Sequence, residues 1–441
     1  MYCYILQAVE KEIVFMATKR VLKMGFVGVG PRARSLMKKA VHIPGVKIVG
    51  IYDPKTSAVE KTFEVCEQIG VNPAPKLYKS SDALFNDKNI DAVIIAASWA
   101  AHVPLACAAM EAGKIVGLEV GPAMCIEDCF KLVEVQERTQ APFMFLENGC
   151  FKRNVLHSLN MVKQGLFGEM IHASGGYQHC VTDLVYKEYK ALGSGEPGNE
   201  RILNRLSRNM EPYPTHEIGP IGKALNINRG NRMLTLTAMS TKTAGLKSYI
   251  KKTDGEAVAA KFEDLVQGDI VTTMIKCARG ETICLTWNTS LPVPIAKNLK
   301  YYGTNGAFEG ERGVIYVDGR TPKDPEHPDR KEWESVDNYK DYEHPGWKWY
   351  DGEDFDNKYG FGERNHSNQD FLMMYSFVEC AKKGYTFPID VYDAASWMAI
   401  SVLAEESLAT GSRPVFFPDF TNGKWMRREG ITIDPRFDCN A

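Results

Sequence analysis

The segment Gly28-Val29-Gly30-Pro31-Arg32-Ala33 constrains the fold of this chain more than any other. It follows a short apolar run at 21–28 and opens a helical pattern that continues to residue 40. In a G-x-G-x-x-A turn the first glycine permits the tight bend. The second lets the backbone approach an anion, and the small third residue lets helix and strand pack closely. The helix that follows points its amino-terminal N–H groups at that anion. Alone such a turn is a weak signal, but here Asp53 closes a second apolar strand, 46–52, about 20 residues further on. A carboxylate at that point accepts from a ribose 2′-hydroxyl and repels a 2′-phosphate, so the pattern describes a dinucleotide site that favours NAD over NADP.

The alternation continues. Helical spacing at 57–69, 102–112 and 126–139 separates apolar strands at 91–96, 114–118 and 143–146. Strands and helices in this rhythm predict a doubly wound parallel sheet covered on both faces, an α/β Rossmann domain. After Asn148 the pattern changes. A helix is expected at 154–165, then strand-like runs dominate at 170–178, 233–241, 269–277, 282–289, 299–303 and 313–317. Ala278-Arg279-Gly280 and Asn305-Gly306 mark turns between neighbouring runs. This predicts an α+β domain with a largely antiparallel open sheet. Residues 319–368 are polar and aromatic with little periodicity, and helices are expected at 369–382 and 391–410. With 441 residues, two or three domains are expected. We divide the chain into an amino-terminal extension (1–20), an NAD-binding Rossmann domain (21–148) and an α+β substrate-binding and oligomerisation domain (149–441).

Composition narrows the function classes. A net charge of −2 gives no reason to expect nucleic acid or an anionic membrane as partner. No apolar run reaches the roughly 18 residues of a membrane-spanning helix. The eleven cysteines are odd in number and form no Cys-x-x-Cys pair; Cys125 and Cys129 lack a second pair or a nearby histidine to complete a zinc site. Reduced thiols and the lack of an export signal in the first twenty residues lead us to expect a cytoplasmic protein without a structural metal.

Ligands of open α/β sheets bind beyond the carboxyl ends of the strands. On that rim stand Ser98-Trp99-Ala100-Ala101-His102 after the fourth strand, Glu119-Val120 after the fifth and Glu147-Asn148 after the sixth. His102 is either a cofactor contact or a helix cap, and Glu119 either a ligand or a structural acid. Oxidation of an alcohol carbon needs a base for the hydroxyl proton, and histidine titrates near neutrality. His216, in Tyr213-Pro214-Thr215-His216 just before an expected helix at 218–225, is the best candidate. Tyr177 and His179 end a strand that faces the same cleft, and one of Arg201, Arg205 and Arg208 is available to grip a substrate.

At this point the chain resembles the glucose-fructose oxidoreductase, inositol dehydrogenase and rhizopine-catabolism (Gfo/Idh/MocA) family over essentially residues 21–425. Within it the chain is most similar to glycoside hydrolase family 109, the NAD-dependent N-acetylgalactosaminidase-like enzymes. The segments that carry the resemblance are Arg208-Asn209, Tyr213-Pro214-Thr215-His216, Gly219-Pro220, Asn226-Ile227-Asn228-Arg229-Gly230, Asp269-Ile270-Val271-Thr272-Thr273, Asp390-Val391-Tyr392-Asp393-Ala394-Ala395 and Pro418-Asp419-Phe420 with Gly423-Lys424-Trp425. The resemblance implies NAD contacts at Gly28, Gly30, Arg32, Ala33, Asp53, Ser98, Trp99, His102, Glu119, Val120 and Asn148. It implies sugar contacts at Tyr177, Arg201, Tyr213, Pro214, Thr215, His216 and His366, with His216 and Tyr213 as catalytic residues and a small glycoside as substrate. It also implies a homo-oligomer. The implied chemistry is oxidation of the sugar 3-hydroxyl, loss of the proton on carbon 2, elimination of the aglycone, water addition and re-reduction, with no net redox change.

Three departures stand out. Phe151 and Ile295 occupy positions where the family usually has tyrosine, and Glu119-Val120-Gly121 lacks the superfamily's catalytic lysine. The last change also marks the hydrolase subgroup. The first two changes argue for a different sugar or altered chemistry and motivate the reading of a protein that binds NAD and sugar without turnover; a sugar or cyclitol dehydrogenase that releases the keto product is a further alternative. The aromatic loop with Tyr339, Tyr342, Trp347, Trp349 and Tyr350 either stacks on sugar faces or packs on its own chain or a neighbouring subunit.

Overall fold

A computed structural model describes residues 21–192, 200–262, 265–327, 329–352, 368–431, 434 and 436–440. Its first layer is a six-stranded parallel sheet made of β1 (Leu22–Val27), β2 (Val46–Tyr52), β3 (Lys76–Leu77), β4 (Ala92–Ile95), β5 (Ile115–Leu118) and β6 (Phe143–Phe145). The order is β3-β2-β1-β4-β5-β6, with every adjacent pair parallel. The sheet reverses direction of growth at β1, which places a crevice between the carboxyl ends of β1 and β4. Strands β4 and β6 are buried along their whole length, as a sheet covered on both faces requires.

The glycine turn is enforced by its surroundings. Gly28 sits at φ +77°, and a Cβ there would lie 2.5 Å from the backbone of Ala97. Only glycine fits a left-handed residue pressed against the next strand's exit.

The second layer is a nine-stranded sheet. It contains β7 (Met170–Gln178), β8 (Met233–Ser240), β9 (Ile270–Cys277), β10 (Thr282–Asn288), β11 (Lys300–Gly303), β12 (Gly306–Glu309), β13 (Val314–Val317), β14 (Glu334–Ser335) and β15 (Val415–Phe416). Its order is β14-β13-β12-β11-β7-β10-β9-β8-β15. The pairing is antiparallel except for β7 and β10, which run parallel in register from Thr282 opposite His172 to Asn288 opposite Gln178. Strand β12 and the helices Thr182–Lys190, Glu200–Ser207 and Gly245–Asp254 are additions to the sequence reading. One face of the sheet packs on helices Thr215–Ala224 and Val391–Ala409. The other leaves Met239, Met274 and Phe416 exposed.

Two late helices tie the layers together. Gln369–Lys383 covers β1 and the helix Pro31–Ala40, and Val391–Ala409 packs on both β8 and the helix Ile126–Thr139. The start of Val391–Ala409 carries a capping box, in which the side chains of Asp390 and Asp393 take up free N–H groups of the first turn. Asp393 is buried and accepts from Lys223 Nζ at 2.7 Å and from Arg229 Nη1 and Nη2 at 2.8 and 3.0 Å. Burial opposes its charge, but Arg229 and Lys223 hold its carboxyl well below the usual range. Lys223 belongs to the helix that carries His216, so this ion cluster fixes that helix against the late helix. In the loop ahead of these helices Tyr339, Trp347 and Tyr350 are buried, and Trp347 Nε1 donates to the Phe151 carbonyl at 3.1 Å. Of the readings open for this aromatic loop, packing on its own chain accounts for those three rings.

Removing one partner of a buried ion cluster leaves uncompensated charge and costs about 3–5 kcal/mol. Asp393→Asn is expected to lower the unfolding free energy by that amount, read in urea as a lower midpoint with the slope unchanged. A loss below about 1 kcal/mol would show that the cluster does not hold these helices together.

Candidate active site

The glycine turn opens onto a cleft of about 680 Å³ lined by Gly28, Gly30, Asp53, Lys61, Ser98 and Ala101, among others. Asp53 Oδ2 accepts from the Val29 N–H at 2.8 Å and Oδ1 from the Lys55 N–H at 2.9 Å. The carboxylate therefore braces the turn and still has acceptor capacity toward the cleft. A Cβ on Gly30 would meet nothing within 4 Å. The backbone is open there, at the start of the helix Pro31–Ala40, as a pyrophosphate-binding turn requires. These residues fit a dinucleotide.

Other rim residues are tied to one another. Arg32 Nε donates to Glu119 at 2.8 Å, while Nη1 and Nη2 donate to Asp370 at 2.8 and 3.1 Å. Asn148 Nδ2 donates to the same Asp370 carboxylate at 2.7 Å. Burial works against the charge of Arg32, but Glu119 and Asp370 outweigh it and raise the guanidinium above its ordinary value. Arg32, Glu119 and Asn148 thus form one polar network closed by Asp370, which contributes from the first turn of the helix Gln369–Lys383. His102 is buried, with Nε2 3.0 Å from the Ala97 carbonyl and Nδ1 unpartnered. Burial drives its pKa down to about 4, so it is neutral. Val120 is also buried, and Ala33 packs in the core. His366 lies outside the described residues.

A chain of rings leads from this cleft to a second cavity. The Trp99 and Tyr213 ring centroids are 5.7 Å apart, Tyr213 and Tyr177 5.2 Å, Tyr177 and His216 5.5 Å, and Tyr213 and His216 4.9 Å. Arg201 lies over Trp99 and Tyr213 at 5.6 and 5.8 Å. Arg205 is instead pinned to the Ser290 and Thr289 hydroxyls, and Arg208 grips Glu405. Of the three arginines, Arg201 is the one at the rings. His179 meets Tyr177 edge-on at 6.4 Å. The second cavity, about 220 Å³, is walled by His216, Glu217, Gly175, Lys152, Ile295 and Lys297, among others.

His216 stands in the first turn of the helix Thr215–Ala224, for which Pro214 is the N-cap and Thr215 a fully buried neighbour. Its Nδ1 lies 2.6 Å from Glu147 Oε1, which also accepts from the Gly149 N–H at 2.7 Å. Burial pushes Glu147 up, yet His216 and the Gly149 N–H more than compensate, so it stays ionised. An ionised Glu147 accepts a hydrogen bond from Nδ1–H and so leaves Nε2 as a free acceptor. Burial lowers the His216 pKa below its ordinary value, against the pull of Glu147 and with help from Lys297 and Lys152. Burial raises the phenols of Tyr177 and Tyr213, so both keep their protons at neutrality. The arrangement combines a neutral oriented base, two phenolic donors and one arginine. Glu147 was visible in the sequence only as a rim residue; its pairing with His216 was not. Asp370, Glu217 and Lys297 gave no local signal.

The comparisons with known proteins divide at the same place as the two sheets. A profile described as "Oxidoreductase family, NAD-binding Rossmann fold" matches residues 22–146, and one described as "Glycosyl hydrolase 109, C-terminal domain" matches 151–427. An alpha-N-acetylgalactosaminidase of Tannerella forsythia is 38% identical, covering 92% of this chain and 88% of its own. An alpha-N-acetylgalactosaminidase of Shewanella oneidensis is 35% identical over 94% of this chain and 88% of its own. Among solved structures, a levoglucosan dehydrogenase in complex with NADH and levoglucosan aligns with TM-score 0.64 at 17% identity, covering 90% of this chain and all of its own. A myo-inositol dehydrogenase of Lactobacillus casei aligns at 0.57 with 14% identity, covering 90% of this chain and 97% of its own.

The network around Arg32 gives a test. Replacing Arg32 by methionine strands the Glu119 and Asp370 carboxylates. Loss of charge-assisted hydrogen bonds of this kind costs about 1.5–3 kcal/mol. Arg32→Met is therefore expected to lower thermal stability without NAD present. An unchanged melting temperature with weakened NAD binding would return Arg32 to the role of a direct cofactor contact.

Proposed function

The chain belongs to glycoside hydrolase family 109, and from that premise we propose that it is an NAD-dependent glycosidase that cleaves small N-acetylgalactosaminide-like glycosides. The observation that carries this reading is the Glu147–His216 pair on the wall of a cavity linked by aromatic rings to the dinucleotide cleft. Gly28, Gly30 and Asp53 would hold NAD, which would supply reversible hydride transfer at the sugar 3-carbon. His216 Nε2 takes the 3-hydroxyl proton as the carbonyl forms, and Glu147 stabilises the imidazolium that results. Tyr213 and Tyr177 donate to sugar oxygens, and Arg201 grips the sugar from the Trp99 side. Oxidation at carbon 3 acidifies the hydrogen on carbon 2, so the aglycone leaves by elimination and not by the carboxylate displacement of ordinary glycosidases.

Purified protein would be incubated with NAD and nitrophenyl glycosides, the α-N-acetylgalactosaminide among them, while nitrophenol and NADH are followed together. The expected outcome is release that requires NAD without stoichiometric NADH, reduced about 10²–10⁴-fold in His216→Ala. The base acts when neutral and its pKa is lowered. The His216-dependent oxidation should therefore rise with pH along a limb lying below the ordinary histidine range. NADH accumulation without release would assign a dehydrogenase instead.

Asp53 supports NAD as the dinucleotide. Lys55 and Lys61 line the same cleft, so discrimination rests on the carboxylate. Asp53→Ala should weaken NAD binding and narrow the preference for NAD over NADP in a fluorescence titration. An unchanged preference would remove Asp53 from that role.

A further inference from the structure

The glycosidase reading needs a second base, because the proton on carbon 2 leaves beside the carbon whose hydroxyl faces His216. We propose that Lys297 is that base, an inference that rests on the function proposed above. Lys297 and His216 line the same cavity, and carbons 2 and 3 are adjacent, so one bound sugar presents both protons to this wall. Lys297 is held in place by its backbone: its carbonyl accepts from the Gly176 N–H at 2.5 Å, and its N–H donates to Glu311. Its Nζ sits 3.8 Å from the centroid of the Tyr177 ring, the ring that also touches His216. Among the described residues the ammonium has no hydrogen-bonded or ion-paired carboxylate within reach, so the group is free to meet a ligand.

Tyr177 and Tyr213 beside His216, Glu217 on the cavity wall and the buried Phe151 hold their protons or have none to give. Tyr177 and Tyr213 are buried phenols raised above their ordinary values. Glu217 is buried with neither carboxylate oxygen hydrogen-bonded, and burial followed by Glu211 raises it well above the usual range. Phe151 is fully buried and has no proton to exchange. Lys297 alone among these is tuned toward the working range. Burial pushes it down to about 8; Lys152 adds to this, while Glu217, Glu147 and Glu311 oppose it. Amines brought to this region serve as general bases near neutrality.

The step balances without a further reactant beyond water. The neutral Lys297 amine takes the proton from carbon 2. The electron pair of that C–H bond forms the double bond between carbons 1 and 2, conjugated with the carbonyl at carbon 3. The bond from carbon 1 to the aglycone oxygen breaks, and its pair leaves with that oxygen. Water then adds its oxygen to carbon 1 and gives up one proton to solvent, which matches the charge of the released aglycone oxyanion, and the Lys297 ammonium returns a proton to carbon 2.

The test uses the NAD-loaded protein with a nitrophenyl glycoside that it cleaves, in deuterated buffer. Wild type is expected to release sugar carrying deuterium on carbon 2. Lys297→Met should keep the oxidation, accumulating NADH to about one equivalent per site, while aglycone release falls about 10²-fold or more and carbon 2 keeps its hydrogen. Lys297→Arg, which keeps the charge but cannot act as a base, should behave like the methionine variant. Independently of turnover, lysine-labelled protein should show an ε-resonance titrating near 8 that disappears in Lys297→Met, while that of Lys163, which burial also lowers to about 8, remains. Deuterium incorporation and release within about threefold of wild type in Lys297→Met, or full rescue by arginine, would overturn the assignment and leave the glycosidase reading intact. No NAD-dependent release by wild type would overturn both.

Discussion

The site depends on one contact between the two layers, the hydrogen bond from His216 to Glu147. Glu147 ends the parallel sheet and is wholly buried. His216 arrives on a helix of the second layer. An ionised carboxylate removed from water costs several kcal/mol unless donors surround it. Here the donors are the imidazole and the Gly149 N–H, so the carboxylate holds the layers in register as much as it tunes the base. The approach leaves no room for side chains between the elements. A Cβ on Gly149 would sit 2.7 Å from Glu147 Oε1, and one on Gly219 would sit 2.9 Å from Glu147 Cγ. Both glycines serve proximity, since neither has a positive φ.

Two further clusters keep that contact from loosening. Lys223 and Arg229 meet Asp393 at the far end of the His216 helix, and Arg32 and Asn148 meet Asp370 beside Glu147. In each case the acid comes from the last third of the chain. The late helices therefore act as a clasp over both ends of the site. The cluster at Asp393 is buried in full, so its geometry decides its worth. It satisfies five donors with one carboxylate pair of oxygens, counting the Asn228 amide and the Asp390 N–H.

This division explains what the sequence disclosed. The glycine turn, the strand–helix alternation, Asp53 and the position of His216 are local signals, set by apolar period and by turn chemistry within a few residues. The doubly wound parallel sheet followed from the same pattern. The parallel pairing of β7 with β10 did not, because a crossover between distant strands leaves no trace in the period of either. Arg32 enters as a cofactor contact through the family resemblance. Of its two acidic partners here, Asp370 lies 338 positions away. Composition leaves the aromatic loop open between a sugar platform and packing on its own chain or a neighbouring subunit, and Trp347 is spent on the Phe151 carbonyl. Residue type tells which interactions a side chain is able to make; only the tertiary path decides which one it makes.

The electrostatic design of the cavity follows from its chemistry. A glycosidase that displaces an aglycone directly needs two carboxyl groups at a set spacing across the bond. One that first oxidises carbon 3 needs proton acceptors at adjacent carbons and a wall that does not itself acidify them. Buried acids Glu211 and Glu217 are pushed up by desolvation, while His216 and Lys297 are pushed down by it. The same burial thus acts in opposite senses on acids and bases and draws both toward neutral forms. A neutral imidazole backed by the ionised Glu147, a readily deprotonated amine and a raised Glu217 form a site in which a proton is able to move without creating an isolated ion. That property suits a cycle in which protons leave and return to the same sugar, and it arises from burial of the His216 helix against β7, not from any single residue.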